Sequence, residues 1–124
     1  METIAKTAEA RVLICSTCTG HRNREGEERA LRIALEKANI SEIVQLDFGG
    51  CMNACSAPIA LGLQGEGRAS YVFAGIDPIQ DANDVAATCL SYISARKGWI
   101  VDATSCGRLR FCLRARLPAL HVFP

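Results

Sequence analysis

Apolar residues along the 124-residue chain recur at two spacings, and the spacing changes where the local structure should change. Arg11-Val-Leu-Ile-Cys15 is a short aliphatic run followed by a Ser/Thr/Gly-rich stretch, the pattern of a buried strand after a loose lead-in over residues 1 to 10. Ser16 to Arg24 is polar and reads as a loop. From Glu25 to Asn39 the period becomes helical: Ala30, Leu31, Ala34, Leu35 and Ala38 share one face while Arg29, Arg32 and Glu36 face away. Glu25 with Arg29, and Glu28 with Arg32, are four-apart pairs worth about 0.3 to 0.5 kcal/mol each. Asn39 is the expected terminator.

Val44, Leu46 and Phe48 then alternate with Gln45 and Asp47, the two-residue period of a strand with one polar face, until Gly49-Gly50 breaks it. Ile59, Leu61 and Leu63 and the run Ala69-Ser-Tyr-Val-Phe-Ala74 flank Gln64-Gly-Glu-Gly67, which predicts a hairpin. A second helix should start near Asp77-Pro78, with Asp81 or Asn83 as alternative caps. Its stripe of Ala82, Val85, Ala86, Cys89, Leu90 and Ile93 continues to Lys97-Gly98. Cys89 on that stripe reads as a small buried hydrophobe. Beyond Gly98, Leu109, Phe111, Leu113, Ala115 and Leu117 alternate with Arg108, Arg110, Cys112, Arg114 and Arg116. Period two favours an extended segment and the residue types favour a helix, so both readings stand, and Pro118 ends either one.

The order strand, helix, strand, hairpin, helix requires a parallel crossover followed by antiparallel strands. The expected fold is therefore α/β and thioredoxin-like, with a mixed four-stranded sheet. Residues 1–98 would form the domain, and residues 99–124 a basic C-terminal extension packed on it or flanking it. The length suits one domain that buries a real core without disulfide staples. No apolar run approaches the roughly 20 residues of a membrane span, and Met1 to Ala10 lack the apolar core of a signal peptide, so a cytoplasmic location is expected.

Charge changes the picture at the C-terminal end. The formal net charge is +1, yet the chain up to Ala95 carries 8 basic and 12 acidic residues and the remainder 6 basic and 1 acidic. Such a tail is either a docking surface for an acidic partner, with Arg108, Arg110, Arg114 and Arg116 as its candidates, or plain solvated surface. Aromatic residues are too few, and not interleaved with the basic ones, for a nucleic-acid signature. Neither nucleic acid nor a membrane is expected as a partner; the oligomeric state is open, a homodimer included.

The candidate chemistry lies in the cysteines, seven in all. In a reducing compartment clustered cysteines point to metal or redox chemistry rather than a disulfide framework. Cys15-Ser-Thr-Cys18 follows the first strand and Cys51-Met-Asn-Ala-Cys55 follows the second, so four thiols occupy two loops. Four soft thiolates on short loops suit tetrahedral zinc or an iron-sulfur cluster. Cys15 and Cys18 alone would equally suit a dithiol reductase, which needs no further thiols. Pro58 precedes the third strand, where a thioredoxin carries a proline beside its active site, and a corresponding fold would bring the two loops together. His21 reads as a solvated loop residue, with a Cys3His zinc site the alternative, and His121 as non-functional. Cys106 and Cys112 should behave like Cys89. Asp47 and Glu66 form no convincing acid-base pair, and no phosphate loop or Ser/His/Asp spacing appears, so conventional substrate catalysis is not indicated.

The strand order, with cysteines after the first strand and Cys51-x-x-x-Cys55 after the second, resembles the thioredoxin-like 2Fe-2S ferredoxins. Within that group the whole chain, through Tyr71-Val-Phe73, Tyr92, Trp99 and the arginine-rich run ending Arg116-Leu-Pro118, is similar to a bacterial family of predicted metal-binding proteins. Better-known members of the group space their first two cysteines much further apart. The resemblance implies a 2Fe-2S electron-transfer or redox-sensing protein with Cys15, Cys18, Cys51 and Cys55 as ligands. A zinc-binding or metal-delivery module on the same cysteines and a dithiol reductase are the alternatives. Backbone N–H groups of Gly49, Gly50 and Met52 to Ala54 would donate to the cluster sulfurs.

Overall fold

A computed structural model describes residues 8–15, 23–49 and 59–120. Strand β1 (Ala10–Ile14) leads to helix α1 (Arg24–Lys37) and strand β2 (Val44–Phe48). The hairpin β3 (Leu61–Gln64) and β4 (Ser70–Phe73), helix α2 (Ala82–Ser94), two stretches of 3-10 helix (Arg96–Gly98 and Thr104–Phe111) and strand β5 (Leu113–Leu117) follow. The sheet runs β2-β1-β3-β4-β5. β2 is parallel to β1, as a strand-helix-strand crossover demands, and every other pairing is antiparallel.

Central strand β1 is the most enclosed. Val12 and Ile14 are fully buried and meet Leu31, Ala34 and Leu35 of α1, Val44 and Leu46 of β2, Leu61 and Leu63 of β3, and Tyr71 and Phe73 of β4 in one core. Full burial of one such Leu or Ile is worth about 1.5 to 3 kcal/mol. The alternate strand residues Arg11, Leu13, Gln45, Gln64 and Val72 are half-buried or exposed, and α1 and α2 pack against each other, so both helices cover one face. Across the other face Arg11 donates to Asp47 at 2.8 Å and to Gln64 at 3.1 Å, a polar rung over β2, β1 and β3.

Helix α1 matches its expectation except that, of the two four-apart pairs, Glu28 with Arg32 forms and Glu25 with Arg29 does not. The Asn23 side chain accepts from the Gly26 N–H at 2.9 Å, Glu28 pairs with Arg32 at 2.9 Å, and Asn39 takes a left-handed φ of 62° past the helix end. Helix α2 differs in two respects. Leu90 is exposed while Tyr92 is fully buried, because the Tyr92 hydroxyl reaches the Ala69 carbonyl beneath the helix. Asp77 caps the preceding turn through the N–H groups of Ile79 and Gln80, and Asp81 occupies the helix N-cap position with its carboxylate turned elsewhere.

That carboxylate holds the C-terminal region. Arg108 donates to Asp81 through Nε at 3.1 Å and Nη2 at 2.9 Å, and the Asp77 N–H adds a third bond at 2.9 Å. Asp84 accepts from the Arg108 N–H at 3.1 Å. Gly107 has φ 64°, and a Cβ there would lie 2.4 Å from the Asp84 carboxylate, so the turn needs glycine. Leu109 behind it is fully buried. The alternating run therefore divides: Thr104–Phe111 turns as 3-10 helix across Gly107, and only Leu113–Leu117 extends. The extension pairs with β4, so the sheet has five strands rather than the four expected. Alternation could not foresee this, because the partner strand lies some forty residues away along the chain.

Cys89, Cys106 and Cys112 are buried with free thiols, as core readings of all three require. Burial, with the neighbouring Cys106 thiol, pushes the Cys89 thiol up to about 12. Cys89 should therefore resist alkylation in the native protein at neutral pH and react once the chain is unfolded. Cys89→Ser should cost about 1 to 3 kcal/mol by placing a hydroxyl in an apolar site. Rapid alkylation of native Cys89, located by mass spectrometry, would contradict the packing.

Burial alone raises the Asp81 carboxyl, but the bonds from Arg108 and Asp77 and the Arg108 charge together bring it below the usual aspartate value. A depressed carboxyl contributes stability at pH above its unfolded value and loses it as pH falls through the native value. Asp81→Asn should remove that contribution and flatten the fall in stability below about pH 4. Arg108→Met should cost about 1 to 2 kcal/mol at pH 7, the lower part of the range for a broken ion pair because Arg108 is half-exposed and screened. Denaturant unfolding at pH 7 and pH 3 measures both.

Candidate metal centre

The expected cysteine loops leave the sheet at one end. Because β1 and β2 run parallel and β3 runs against them, the C-terminal ends of β1 and β2 lie beside the N-terminal end of β3. At that end the Cys15 N–H donates to the Ala60 carbonyl at 3.0 Å, and the Gly49 N–H to the Ile14 carbonyl at 3.0 Å. The residues flanking both loops, Cys15 before the first and Gly49 and Ile59–Ala60 around the second, are thus bonded into one sheet edge. Ile59 is tied in turn to Ile76 by reciprocal backbone bonds of 3.0 and 3.4 Å.

Cys15 is the candidate ligand within the described residues, and it is fully buried just past the end of β1. Cys18, Cys51 and Cys55 lie outside the described residues, as do His21, Gly50, Met52 to Ala54, Pro58 and His121. Among the described residues no group of His, Cys, Asp or Glu forms a metal site. One expected contributor is corrected: the Gly49 N–H closes the β1–β2 ladder and is spent on Ile14 rather than turned toward a sulfur.

Two features of this end were missed in the sequence. Helix α1 begins here, with its acidic first-turn residues Glu25 and Glu27 complementing the positive end of the helix dipole. Arg24, read above as the last loop residue, is its first residue and places its guanidinium 5.4 Å from the centre of the Phe48 ring at the end of β2. A cation over an aromatic face is worth about 0.5 to 1 kcal/mol at an exposed site. A basic residue directly before a helical stripe was the available signal, and nothing local indicated Phe48.

The candidate docking arginines differ in their surroundings. Arg108 is committed to Asp81, and Arg116 donates to the Ile100 carbonyl at 3.1 Å while lying 3.6 Å from the centre of the Trp99 ring. Arg110 covers the exposed Phe111 ring at 4.6 Å. Arg114 is exposed and has no hydrogen bond or ion pair among the described residues. Among the described residues no helix is long and apolar enough to cross a membrane.

The fold is similar to that of a thioredoxin-like [2Fe-2S] ferredoxin from Aquifex aeolicus, at 13% sequence identity over 93% of this chain and 100% of that one, with a TM-score of 0.52. A second structure, of the wild-type thioredoxin-like [2Fe-2S] ferredoxin from Aquifex aeolicus, is similar at 15% identity over 88% of this chain and 99% of that one, with a TM-score of 0.49. No curated protein sequence matches the chain. The likeness to the first structure establishes the thioredoxin-like α/β fold, with a fifth strand in the sheet of this chain. Residues 12–119 match a family of proteins described as of unknown function, DUF1636, and the chain belongs to that family.

Proposed function

We propose that this protein carries a 2Fe-2S cluster on Cys15, Cys18, Cys51 and Cys55 and serves in electron transfer or redox sensing. The observation that carries the reading is the bonding of Cys15 to Ala60 and of Gly49 to Ile14, which anchors both cysteine loops at one end of the sheet. The segments 16–22 and 50–58, of seven and nine residues, join onto these bonded flanking residues, Cys15 before the first and Gly49 and Ile59–Ala60 around the second. The donor set suits the group: a chain with four thiols on two loops supplies the soft ligands that such a cluster takes, and the described member of the set, Cys15, is held on rigid strand-end backbone. The fold it shares with a [2Fe-2S] ferredoxin adds support at the level of architecture.

When bound, the cluster supplies a one-electron couple. The chain's own part is to hold the thiolates, exclude water at Cys15 and set the surroundings of the sulfurs. Cys89 lies on α2, and Cys106 and Cys112 belong to the Thr104–Phe111 stretch packed against it and the residue after it; none belongs to either cysteine pair, and all three are left out of the proposed ligand set.

Protein purified anaerobically from iron-replete cells should be brown and contain about two irons and two sulfides per chain. Cys51→Ser and Cys55→Ser should each lose or strongly alter the visible absorption, whereas Cys106→Ser and Cys112→Ser should leave it intact. A colourless protein holding stoichiometric zinc would replace this reading with a zinc module on the same cysteines. A metal-free protein with reversible Cys15–Cys18 disulfide exchange would replace it with a dithiol reductase.

A further inference from the structure

The outer edge of β5 has the chemistry of a docking rail. β5 stands at one end of the sheet, and among the described residues no strand pairs with its outer side, leaving backbone N–H and C=O groups able to accept another strand. Large apolar side chains flank it in the open: Phe111 is 75% exposed and Leu117 65%. An exposed phenyl ring is costly to leave in water, and here it lies beside Arg110 rather than in a core.

The charges on this edge are of one sign. Arg114 lies within the strand, and Arg110 directly precedes it by way of Phe111. From Arg96 onward the sole acidic residue is Asp102, and its carboxylate is occupied by the Thr104 N–H at 3.0 Å and the Thr104 hydroxyl at 2.6 Å. The Thr104 bonds, and to a lesser degree the nearby Arg110 charge, hold the Asp102 carboxyl below the usual aspartate value, so Arg110 is partly balanced, whereas Arg114 has no ion pair among the described residues.

This pattern discriminates among occupants. Two copies of Leu-Arg-Ala-Arg-Leu paired antiparallel about Ala115 would set Arg114 against Arg116 of the other copy, like charges directly opposed. The opposite edge of the sheet, β2, offers one acid, Asp47, already bonded to Arg11 at 2.8 Å. Neither edge of a second copy supplies the missing negative charge. An extended segment alternating carboxylates with aliphatic residues does: its backbone extends the ladder, its carboxylates meet Arg110 and Arg114, and its apolar side chains cover Phe111 and Leu117.

We propose that β5 docks an acidic extended segment of a partner protein by strand addition, with Arg110 and Arg114 selecting its charge. The inference is independent of what the cysteine loops hold, since it uses no residue of either loop. Arg108, committed to Asp81, takes no part.

The test uses the full-length protein and peptides of about ten residues, long enough to lie along a strand. One alternates Glu with Val, one alternates Lys with Val, and two repeat the Glu-Val sequence with backbone N-methyl groups along one edge or along the other. Calorimetry should show binding of the Glu-Val peptide that weakens with salt, and hydrogen exchange should slow at residues 113–117. The Lys-Val peptide should not bind, and the N-methylated peptide whose ladder edge is blocked should lose at least about tenfold in affinity. R110E/R114E, whose replaced side chains make no hydrogen bond or ion pair among the described residues and give up only the exposed Arg110–Phe111 contact and the nearby Asp102 charge, should invert the preference toward Lys-Val, which also shows that the variant is folded. Absence of Glu-Val binding, equal binding after N-methylation of either edge, or an unchanged preference in R110E/R114E would each overturn the proposal. So would concentration-dependent dimerisation that protects the β5 amides without peptide.

Discussion

Everything in this fold depends on strand β1 being bonded on both sides. Val12 and Ile14 are sealed from water beneath α1, and the strand's backbone is satisfied by β2 in parallel and β3 in antiparallel register. A one-residue slip in either pairing would turn Val12 and Ile14 toward the face that carries Arg11 and Asp47, so the register is strongly specified. The same register determines which backbone groups meet at the sheet end, where Cys15 reaches Ala60 and Gly49 reaches Ile14. Stability of the core and placement of the loop anchors are thus one constraint rather than two.

The C-terminal region depends on a different kind of contact. Its chain is held to α2 by polar groups: Asp81 and Asp84 receive Arg108, the hydroxyls of Ser91 and Ser105 lie 2.8 Å apart, and Leu109 fills the remaining apolar space. Trp99 lies under Arg116, and the Tyr71 hydroxyl accepts from the Ile100 N–H at 2.9 Å while donating to the Gly98 carbonyl at 2.7 Å. A buried tyrosine satisfied at both ends fixes the path of the chain as it returns toward the sheet. β5 can then extend β4, and the surface charge of the region becomes a feature of a sheet edge instead of a loose tail.

Charge asymmetry thereby resolves into two physical roles. Arg108 and Arg116 are drawn into the fold by a carboxylate, a carbonyl and an aromatic face, where they contribute to stability. Arg110 and Arg114 remain at the surface, where their charge acts on whatever approaches. Composition registers all four alike, and the distinction comes from the Gly107 turn, which brings Arg108 to Asp81, and from the path of residues 98–100, which sets Trp99 and the Ile100 carbonyl against Arg116.

The periodicities of the chain by themselves determined β1, α1, β2, the hairpin and α2, together with their order and the mixed pairing that this order requires, because hydrophobic spacing and turn residues act over short distances. They also placed Cys89 in the core. Only tertiary structure decided the rest. Tyr92 rather than Leu90 is buried because the Ala69 carbonyl lies beneath it, and the last alternating run divides at Gly107 because Asp84 waits on another helix. The fifth strand exists because β4 had an open edge, and the Gly49 N–H belongs to Ile14 because parallel pairing carries the ladder one residue past β2. In each case the deciding partner is distant in sequence, and a local pattern contains no record of which distant group will satisfy a buried hydrogen bond or fill the space beside a ring.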